Sequence, residues 1–200
     1  MKTVTPRQMS ELESLALKNG ASESEFMEEA GSGVALLVQD FVERLNIDRV
    51  AILLCGKGNN GGDAYVAGIQ LLQLEYEVFA IQPNQISDCS RLCKQNNERF
   101  IHEGGRVMET FSELPPSAVI IDGLFGTGFR GAVSEPYLSI IQTANQSRLP
   151  IISIDIPSGL NGETGIAEGP AIIATETAFL GLPKRGFFLN DGWNHTGKLR

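Results

Sequence analysis

Residues 49–68, RVAILLCGKGNNGGDAYVAG, decide the fold of this chain. An apolar strand candidate, Val50 to Leu54, leads directly into a glycine-rich segment, Gly56 to Asp63, and apolar residues at helical spacing follow it. Glycines let backbone N–H groups approach a phosphate closely, and the N-terminal end of a helix favours negative charge. The stretch therefore predicts a binding site for a phosphorylated ligand.

The glycine-rich segment matches G-x-G-x-x-G at Gly56, Gly58 and Gly61, where a dinucleotide-binding fold places that motif. Such a fold also places an acidic residue at the end of the second strand, where it holds the ribose. Here that strand ends in Gln82, so binding of a nicotinamide cofactor as in a dehydrogenase is disfavoured. A P-loop is excluded because no Lys-Ser or Lys-Thr follows the glycines. Taken alone, the motif also fits a purely structural turn.

The composition is that of one globular domain over residues 1–200, with 42% hydrophobic and 20% charged residues. A net charge of −8 argues against nucleic acid as a partner. The start, MKTVTPRQMS, has no apolar core for a signal peptide, and no apolar run of about 18 residues occurs. We therefore expect a cytoplasmic protein without membrane contact. The three cysteines have no disulfide or zinc spacing, so we expect buried free thiols.

Strand and helix patterns alternate from residue 49 onward. Strands are expected over 49–55, 77–82, 106–108, 118–122, 150–154 and 175–180, and helices over 62–74, 87–103 and 134–147. A first helix begins at Thr5-Pro6 and stops at Gly20; a second begins with a Ser22/Glu25 capping box and reaches Leu45. Gly31 and Gly33 within it indicate close contact with another backbone. The pattern predicts an α/β fold, a three-layer α/β/α Rossmann-like fold with a mostly parallel sheet.

Two further glycine-rich segments follow predicted strands, as the first one does. Asp122 to Gly131 follows the strand at 118–122, and Asp155 to Gly162 follows the strand at 150–154. In open parallel sheets, ligands bind beyond the carboxyl ends of the strands. Three strands thus deliver glycines and polar groups to one rim, and two of them deliver a carboxylate as well. The sequence predicts a single polar site at this rim.

These segments together resemble the YjeF N-terminal domain family, whose enzymes are NAD(P)H-hydrate epimerases. The resemblance lies in MEEAG (27–31), GKGNNGGD (56–63), DGLFGTGFRG (122–131) and DIPSGLNGETG (155–165), with Pro183 to Gly186 as a further family feature. It implies interconversion of the R and S forms of hydrated NADH and NADPH (NADHX and NADPHX). It also implies a homodimer and an ADP- or ATP-dependent NAD(P)H-hydrate dehydratase as a separate or fused partner. A non-catalytic nucleotide-binding scaffold of the same fold is the alternative.

The resemblance also implies site residues. Those expected to bind the substrate are Asn59, Asn60, Gly61, Gly62, Asp63, Gly126, Thr127, Gly128, Phe129, Arg130, Gly131, Ala132 and Asp155. One potassium ion per subunit is expected, with Asn60, Asp122 and Ser158 as ligands, and such oxygen ligands suit a hard cation. Without the resemblance, Asp122 and Ser158 also fit residues that hydrogen-bond within their own turns.

Asp155 is the candidate catalytic group. The hydrated ring is a hemiaminal, so protonation of its hydroxyl lets the ring nitrogen expel water, and a carboxylate can stabilise the resulting cation and assist the return of water. Lys184 is the candidate charge partner of Asp155, although a surface lysine is the alternative. The two histidines, His102 and His195, lie in polar stretches away from the motifs and are not expected to act as acid–base groups.

One position departs from the family pattern. After Gly-Gly-Asp the family usually has glycine, whereas this chain has Ala64. A helical backbone at this position would accept alanine readily. A positive φ, or direct contact with the ligand, would make the methyl group a hindrance.

Overall fold

The computed structural model describes residues 2–111 and 113–200. The strands are Val50–Cys55 (β1), Glu77–Ile81 (β2), Arg106–Met108 (β3), Val119–Gly123 (β4), Ile151–Ile154 (β5), Glu176–Ala178 (β6) and Lys198–Leu199 (β7). The helices are Pro6–Lys18 (α1), Glu23–Leu45 (α2), Asn59–Gln73 (α3), Arg91–His102 (α4), Tyr137–Gln146 (α5) and Gly192–His195 (α6), and 3₁₀ turns lie at Ile86–Asp88 and Arg185–Phe188.

All seven strands are parallel and follow the order β3-β2-β1-β4-β5-β6-β7, which confirms the predicted α/β fold. The chain moves outward in one direction from β1 and in the other direction from β4. The switch point, where parallel sheets of this kind open a crevice, therefore lies between β1 and β4. The register places Leu54 of β1 beside Asp122 of β4, and Asp122 beside Ser153 of β5. The glycine-rich segments thus emerge from adjacent strands.

Helices cover both faces of the sheet. Phe41 of α2, Tyr65 of α3 and Phe100 of α4 are buried in the core on one face. Ile140 and Ile141 of α5 are buried on the other face. Because the central strands are buried on both sides, they are continuous apolar runs rather than alternating ones.

The two glycines of α2 have different surroundings. A Cβ at Gly31 would lie 2.5 Å from the Cβ of Val66 and 2.9 Å from the carbonyl oxygen of Asp63, so α2 and α3 approach closely there. This confirms the expected close contact at Gly31. At Gly33 the expectation is wrong, because a Cβ would meet nothing within 4 Å.

The helix starts differ in detail from the sequence predictions. The cap of α1 is confirmed, since Thr5 Oγ1 accepts from the N–H of Gln8 at 3.1 Å. The capping box of α2 is wrong: Ser22 makes no side-chain cap, and its Oγ instead lies 2.8 Å from that of Ser24. The helix expected over 87–103 begins only at Arg91, because Ser90 is its N-cap.

Two other elements have different bounds, and one strand was not predicted. The helix expected over 134–147 begins at Tyr137, directly after Pro136. The strand expected over 175–180 covers only Glu176–Ala178. Strand β7 was not predicted, because two residues carry no periodic signal.

The cysteine prediction is confirmed, because Cys55, Cys89 and Cys93 are free and buried. Within residues 2–111 and 113–200, no helix is both long and apolar enough to span a bilayer.

The contrast between Gly31 and Gly33 gives a matched test of the α2–α3 packing. Gly33→Ala should raise the free energy of unfolding by about 0.5–1 kcal/mol, because it removes backbone entropy in a helix interior without a clash. Gly31→Ala should lower it by about 1–3 kcal/mol through overpacking against α3. Urea unfolding of both variants measures the difference, and equal effects would contradict the packing described for α2.

Candidate functional site

The polar rim begins with the N-terminus of α3. The helix predicted over 62–74 begins three residues earlier, because α3 starts at Asn59 and Gly58 is its N-cap. The early start requires close backbone packing, since a Cβ at Gly61 would lie 2.1 Å from the carbonyl oxygen of Gly56. Asn59 to Asp63, which are expected to bind the substrate, therefore lie in the first turns of a helix. The unpaired N–H groups of such a terminus favour an anion.

Ala64 lies within α3 and is fully buried. A Cβ built on Gly123 would lie 2.8 Å from the Ala64 methyl group, so this methyl group packs against β4. Since the backbone is helical here, alanine in place of the usual family glycine is readily accommodated.

The segment after β4 forms the second part of the rim. The guanidinium of Arg130 donates to the carbonyl oxygens of Thr127 at 2.9 Å and Phe129 at 2.6 Å, so this side chain braces its own loop. The ring of Phe125 stacks on that of Phe129, with ring centroids 4.7 Å apart. A Cβ at Gly128 would meet nothing within 4 Å, so packing among the described residues does not require glycine there.

Asp122 is a fully buried carboxylate between β4 and β5. Its oxygens accept from the hydroxyl of Ser158 at 2.6 Å, the N–H of Ser158 at 2.9 Å, the hydroxyl of Ser153 at 2.9 Å and the N–H of Leu124 at 3.3 Å. Burial raises the pKa of Asp122, and these hydrogen bonds oppose that rise. Among the described residues, no lysine, arginine or histidine forms an ion pair with it.

Asn60 lies against the same region from α3. Its side-chain nitrogen donates to the carbonyl oxygens of Phe125 at 2.8 Å and Ile154 at 3.2 Å. The partly positive NH₂ group of Asn60 therefore points at two carbonyl oxygens. Nearby, the hydroxyl of Ser158 accepts from the N–H of Phe125 at 2.9 Å. The three predicted potassium ligands therefore converge at the ends of β4 and β5.

Asp155 and Lys184 form a buried ion pair. Lys184 has no exposed surface, and its ammonium donates to the carboxylate of Asp155 and, at 2.8 Å, to the carbonyl oxygen of Leu180. Asp155 has a φ of 64° and is 5% exposed, and its N–H donates to the carbonyl oxygen of Ala178 at 2.8 Å. A positive φ at a residue other than glycine costs about 1–3 kcal/mol and is typical of functional positions. Lys184 is therefore not a surface lysine.

A cavity of about 670 Å³ lies between α1, α2, the start of α3 and the segment after β6. Asp63, 7% exposed, lines it together with Glu13 of α1. Burial raises the pKa of Asp63 well above its usual range, and the negative charges of Asp155 and Glu13 raise it further. Burial, followed by Asp155, also raises the pKa of Glu13, while Lys184 opposes the rise. These carboxyl groups and one ammonium thus act on one another at this cavity.

Glu13 is a residue that the sequence analysis missed. Its helix carried only an apolar face and caps as signals, and nothing in the spacing indicated that α1 would lie beside β6. The second missed residue is Leu180, whose carbonyl oxygen and N–H contact Lys184 and Asp155. Backbone groups of this kind carry no sequence signal.

Gln82 lies at the end of β2, where a dehydrogenase has the acidic residue that holds the ribose. Gln82 is buried, and its side-chain oxygen accepts from the hydroxyl of Tyr65 at 3.0 Å. Its side chain is therefore engaged inside the core. The histidines also lie away from the rim: His102 is on exposed α4 surface, and Nδ1 of His195 lies 2.8 Å from the carbonyl oxygen of Ile172.

A glycine-rich rim with buried carboxylates lies at the switch point of a doubly wound α/β domain, the place where ligands bind in domains of this class. A profile of the family described as "YjeF-related protein N-terminus" matches residues 23–186. The chain belongs to this family, as the resemblance implied.

Two relatives are similar in length to this chain. It is 35% identical to the NAD(P)H-hydrate epimerase of Elusimicrobium minutum, covering 93% of this chain and 88% of that protein. It is 31% identical to the NAD(P)H-hydrate epimerase of Rhodopirellula baltica, covering 98% and 81%. The yeast protein YNL200c has a crystal structure of the same fold, with a TM-score of 0.83 at 24% identity over 98% of this chain and 86% of that one.

Other relatives are longer. The chain is 34% identical to the bifunctional NAD(P)H-hydrate repair enzyme Nnr of Thermofilum pendens, over 92% of its own length. It spans only 36% of that protein, and 39% of the enzyme of the same name from Moorella thermoacetica. The matched fold is thus one part of these bifunctional enzymes.

The surroundings of Asp63 predict a pH-dependent cost to stability. Because the pKa of Asp63 is higher in the folded chain than in the unfolded chain, Asp63 favours folding most below about pH 4. This contribution to the free energy of unfolding is lost as the pH rises through the folded pKa. Asp63→Asn should therefore raise the free energy of unfolding at pH 8 and change it little at pH 4. Urea titrations at both values measure this, with Glu29→Gln as a control on the same cavity. A variant that is less stable than the wild type at pH 8 would contradict it.

Proposed function

We propose that this protein is an isomerase that interconverts the R and S epimers of NADHX and NADPHX. The observation that carries the proposal is the buried Asp155–Lys184 pair at the carboxyl end of β5, beside a cavity that Asp63 lines. Two relatives that match most of their length carry the name NAD(P)H-hydrate epimerase. The buried Gln82 supports a pyridine nucleotide bound differently from the cofactor of a dehydrogenase.

The chemistry needs a group that handles protons beside a cationic intermediate. When the hydroxyl at C6 leaves as water, the ring nitrogen shares its lone pair and a conjugated iminium cation forms. The carboxylate of Asp155 stabilises this cation and takes a proton from the water that returns to the ring. The hydrogen bond from Lys184 fixes the orientation of that carboxylate. General acid–base catalysis of this kind is worth about 10²–10⁴ in rate.

The two glycine-rich segments bind the rest of the substrate in this proposal. Asn59 to Asp63 lie at the N-terminus of α3, whose first N–H groups have no acceptor within the helix and are offered to the substrate. The segment from Gly126 to Ala132 faces the phosphates, and the side chain of Arg130 holds its shape. Glycine at 128 leaves room for the ligand to approach the backbone.

We also propose a potassium ion bound by Asn60, Asp122 and Ser158. These residues fit the ion because they offer a buried carboxylate, a hydroxyl and an amide beside two carbonyl oxygens, all donors of the kind a hard cation prefers. The NH₂ group of Asn60 occupies the position beside those carbonyl oxygens that the cation would take. Rotation of the Asn60 amide would replace this NH₂ group by its oxygen, which could then join the carbonyl oxygens as a ligand of the ion. When bound, the ion would supply positive charge opposite Asp122 and fix the ends of β4 and β5.

The partner reaction follows from the bifunctional relatives. Their name joins hydrate repair functions in one protein, and this chain matches about a third of their length. We propose that the product epimer passes to an ADP- or ATP-dependent NAD(P)H-hydrate dehydratase, separate or fused. A homodimer and a cytoplasmic location belong to the same proposal.

A coupled assay tests the activity. A dehydratase specific for S-NADHX is supplied with both epimers, and the slow loss of the R epimer is followed at the absorbance of NADH. Adding this protein should abolish the slow phase. Asp155→Asn should reduce that effect by about 10²–10⁴, because the amide cannot accept the proton. Asp48→Asn, an exposed aspartate before β1, is the matched control and should behave as the wild type.

Either of two results would contradict the epimerase. The slow phase would remain unchanged at high protein concentration although the protein binds NADHX, which favours the scaffold function. Alternatively, Asp155→Asn would retain full activity, which would remove Asp155 from the reaction.

The potassium proposal is tested by stability as well as by activity. Potassium chloride should raise the melting temperature in a saturable manner, whereas equimolar lithium chloride should not, because binding to the folded state stabilises it by mass action. Asp122→Asn should abolish the difference between the two salts, and Asp48→Asn should preserve it. An equal change in the melting temperature of the wild type with both salts would contradict the proposed potassium site.

A further inference from the structure

Asp63 is a buried carboxyl group to which the described part of the fold supplies no polar partner. It is 7% exposed and lines the 670 Å³ cavity, and within residues 2–111 and 113–200 no hydrogen bond or ion pair reaches its carboxyl group. Asp155, by contrast, is paired with Lys184 and accepts from the N–H of Leu180. The carboxyl oxygens of Asp63 thus face the cavity rather than a polar partner, where a ligand can reach them.

The position of Asp63 also separates it from Asp155 in the fold. Asp63 comes from the first turns of α3, after β1, whereas Asp155 follows β5. Leu180, which contacts both members of the Asp155–Lys184 pair, lines the same cavity as Asp63. The negative charge of Asp155 adds to the effect of burial in raising the pKa of Asp63. The two carboxyl groups therefore reach one region from different strands, with open volume beside them.

An epimerisation needs a proton at both faces of the ring, since water leaves from one face and returns to the other. Two carboxyl groups with different surroundings are a common solution to such a reaction, one acting as acid and the other as base. Asp63 has no cation to hold it ionised, while Asp155 has one. This asymmetry assigns the acid role to Asp63.

We propose that Asp63 is a second catalytic residue, which donates a proton to the leaving hydroxyl on the face of the ring opposite Asp155. The inference rests on the proposed epimerase function. The C6–O bond breaks, its electron pair leaves with the oxygen as water, and the ring nitrogen forms the iminium bond. Water then forms a new C6–O bond from the other face and gives its proton to Asp155. After this step Asp63 is ionised and Asp155 is protonated. In this state the enzyme can convert the opposite epimer, or it returns to its first protonation state by proton exchange with water.

Isotope exchange distinguishes this role from substrate binding. One purified epimer of NADHX is incubated with enzyme in H₂¹⁸O. The two epimers are then separated, and mass spectrometry measures the ¹⁸O content of each. The wild type should form the other epimer with one ¹⁸O per inversion. Asp63→Asn should slow inversion by at least about 10², with the Kd for NADHX changed less than about threefold. It should still place ¹⁸O into the epimer whose hydroxyl faces Asp155, with retention.

Two further variants complete the test. Asp63→Glu keeps a group that carries a proton and should invert at least about tenfold faster than Asp63→Asn. Asp48→Asn, which removes an exposed carboxylate outside the cavity, should match the wild type. Thermal melting verifies that each variant is folded.

The inference is overturned if Asp63→Asn inverts within about tenfold of the wild type, or if its whole defect is a raised Kd. It is also overturned if Asp63→Glu is no faster than Asp63→Asn. Failure of the proposed function is a different result, because then the wild type itself would neither invert NADHX nor incorporate ¹⁸O faster than buffer.

Discussion

The close approach of three backbones at the switch point determines the rest of the structure. A Cβ on Gly56 would lie 1.8 Å from the carbonyl oxygen of Leu124, one on Gly61 would lie 2.1 Å from that of Gly56, and one on Gly123 would lie 2.7 Å from that of Asn60. Only glycine permits this packing of β1 and α3 against β4. It starts α3 early and brings Asn60 and Asp63 to the ends of the neighbouring strands.

That packing concentrates buried charge at one edge of the sheet. Asp122 is satisfied by hydroxyl and N–H groups, and Asp155 by Lys184, while Asp63 has no partner among the described residues. Burying charged and polar groups costs stability, and the extensive apolar core on both faces of the sheet offsets that cost. The site is thus preorganised by the fold, since its polar groups are fixed before a ligand arrives.

The sequence predicted the architecture because its signals are local and periodic. Apolar runs such as 118–122 locate central strands, and the segments that follow them locate the rim without tertiary information. It failed where tertiary contacts decide. The start of α3 at Asn59 depends on the close approach of Gly61 to Gly56. The burial of Lys184 depends on the path of residues 179–184. The presence of Glu13 at the cavity depends on where α1 packs. No spacing within the chain encodes those contacts.

A crystal structure of this protein with NADP⁺ and a rubidium salt would locate both ligands, because rubidium substitutes for potassium and is identified by its anomalous scattering. We expect the nicotinamide ring between Asp63 and Asp155, the phosphates at Gly126 to Ala132, and rubidium beside Asn60, Asp122 and Ser158. A nucleotide extended along the end of β2 near Gln82, as in a dehydrogenase, with no rubidium between β4 and β5, would contradict this expectation.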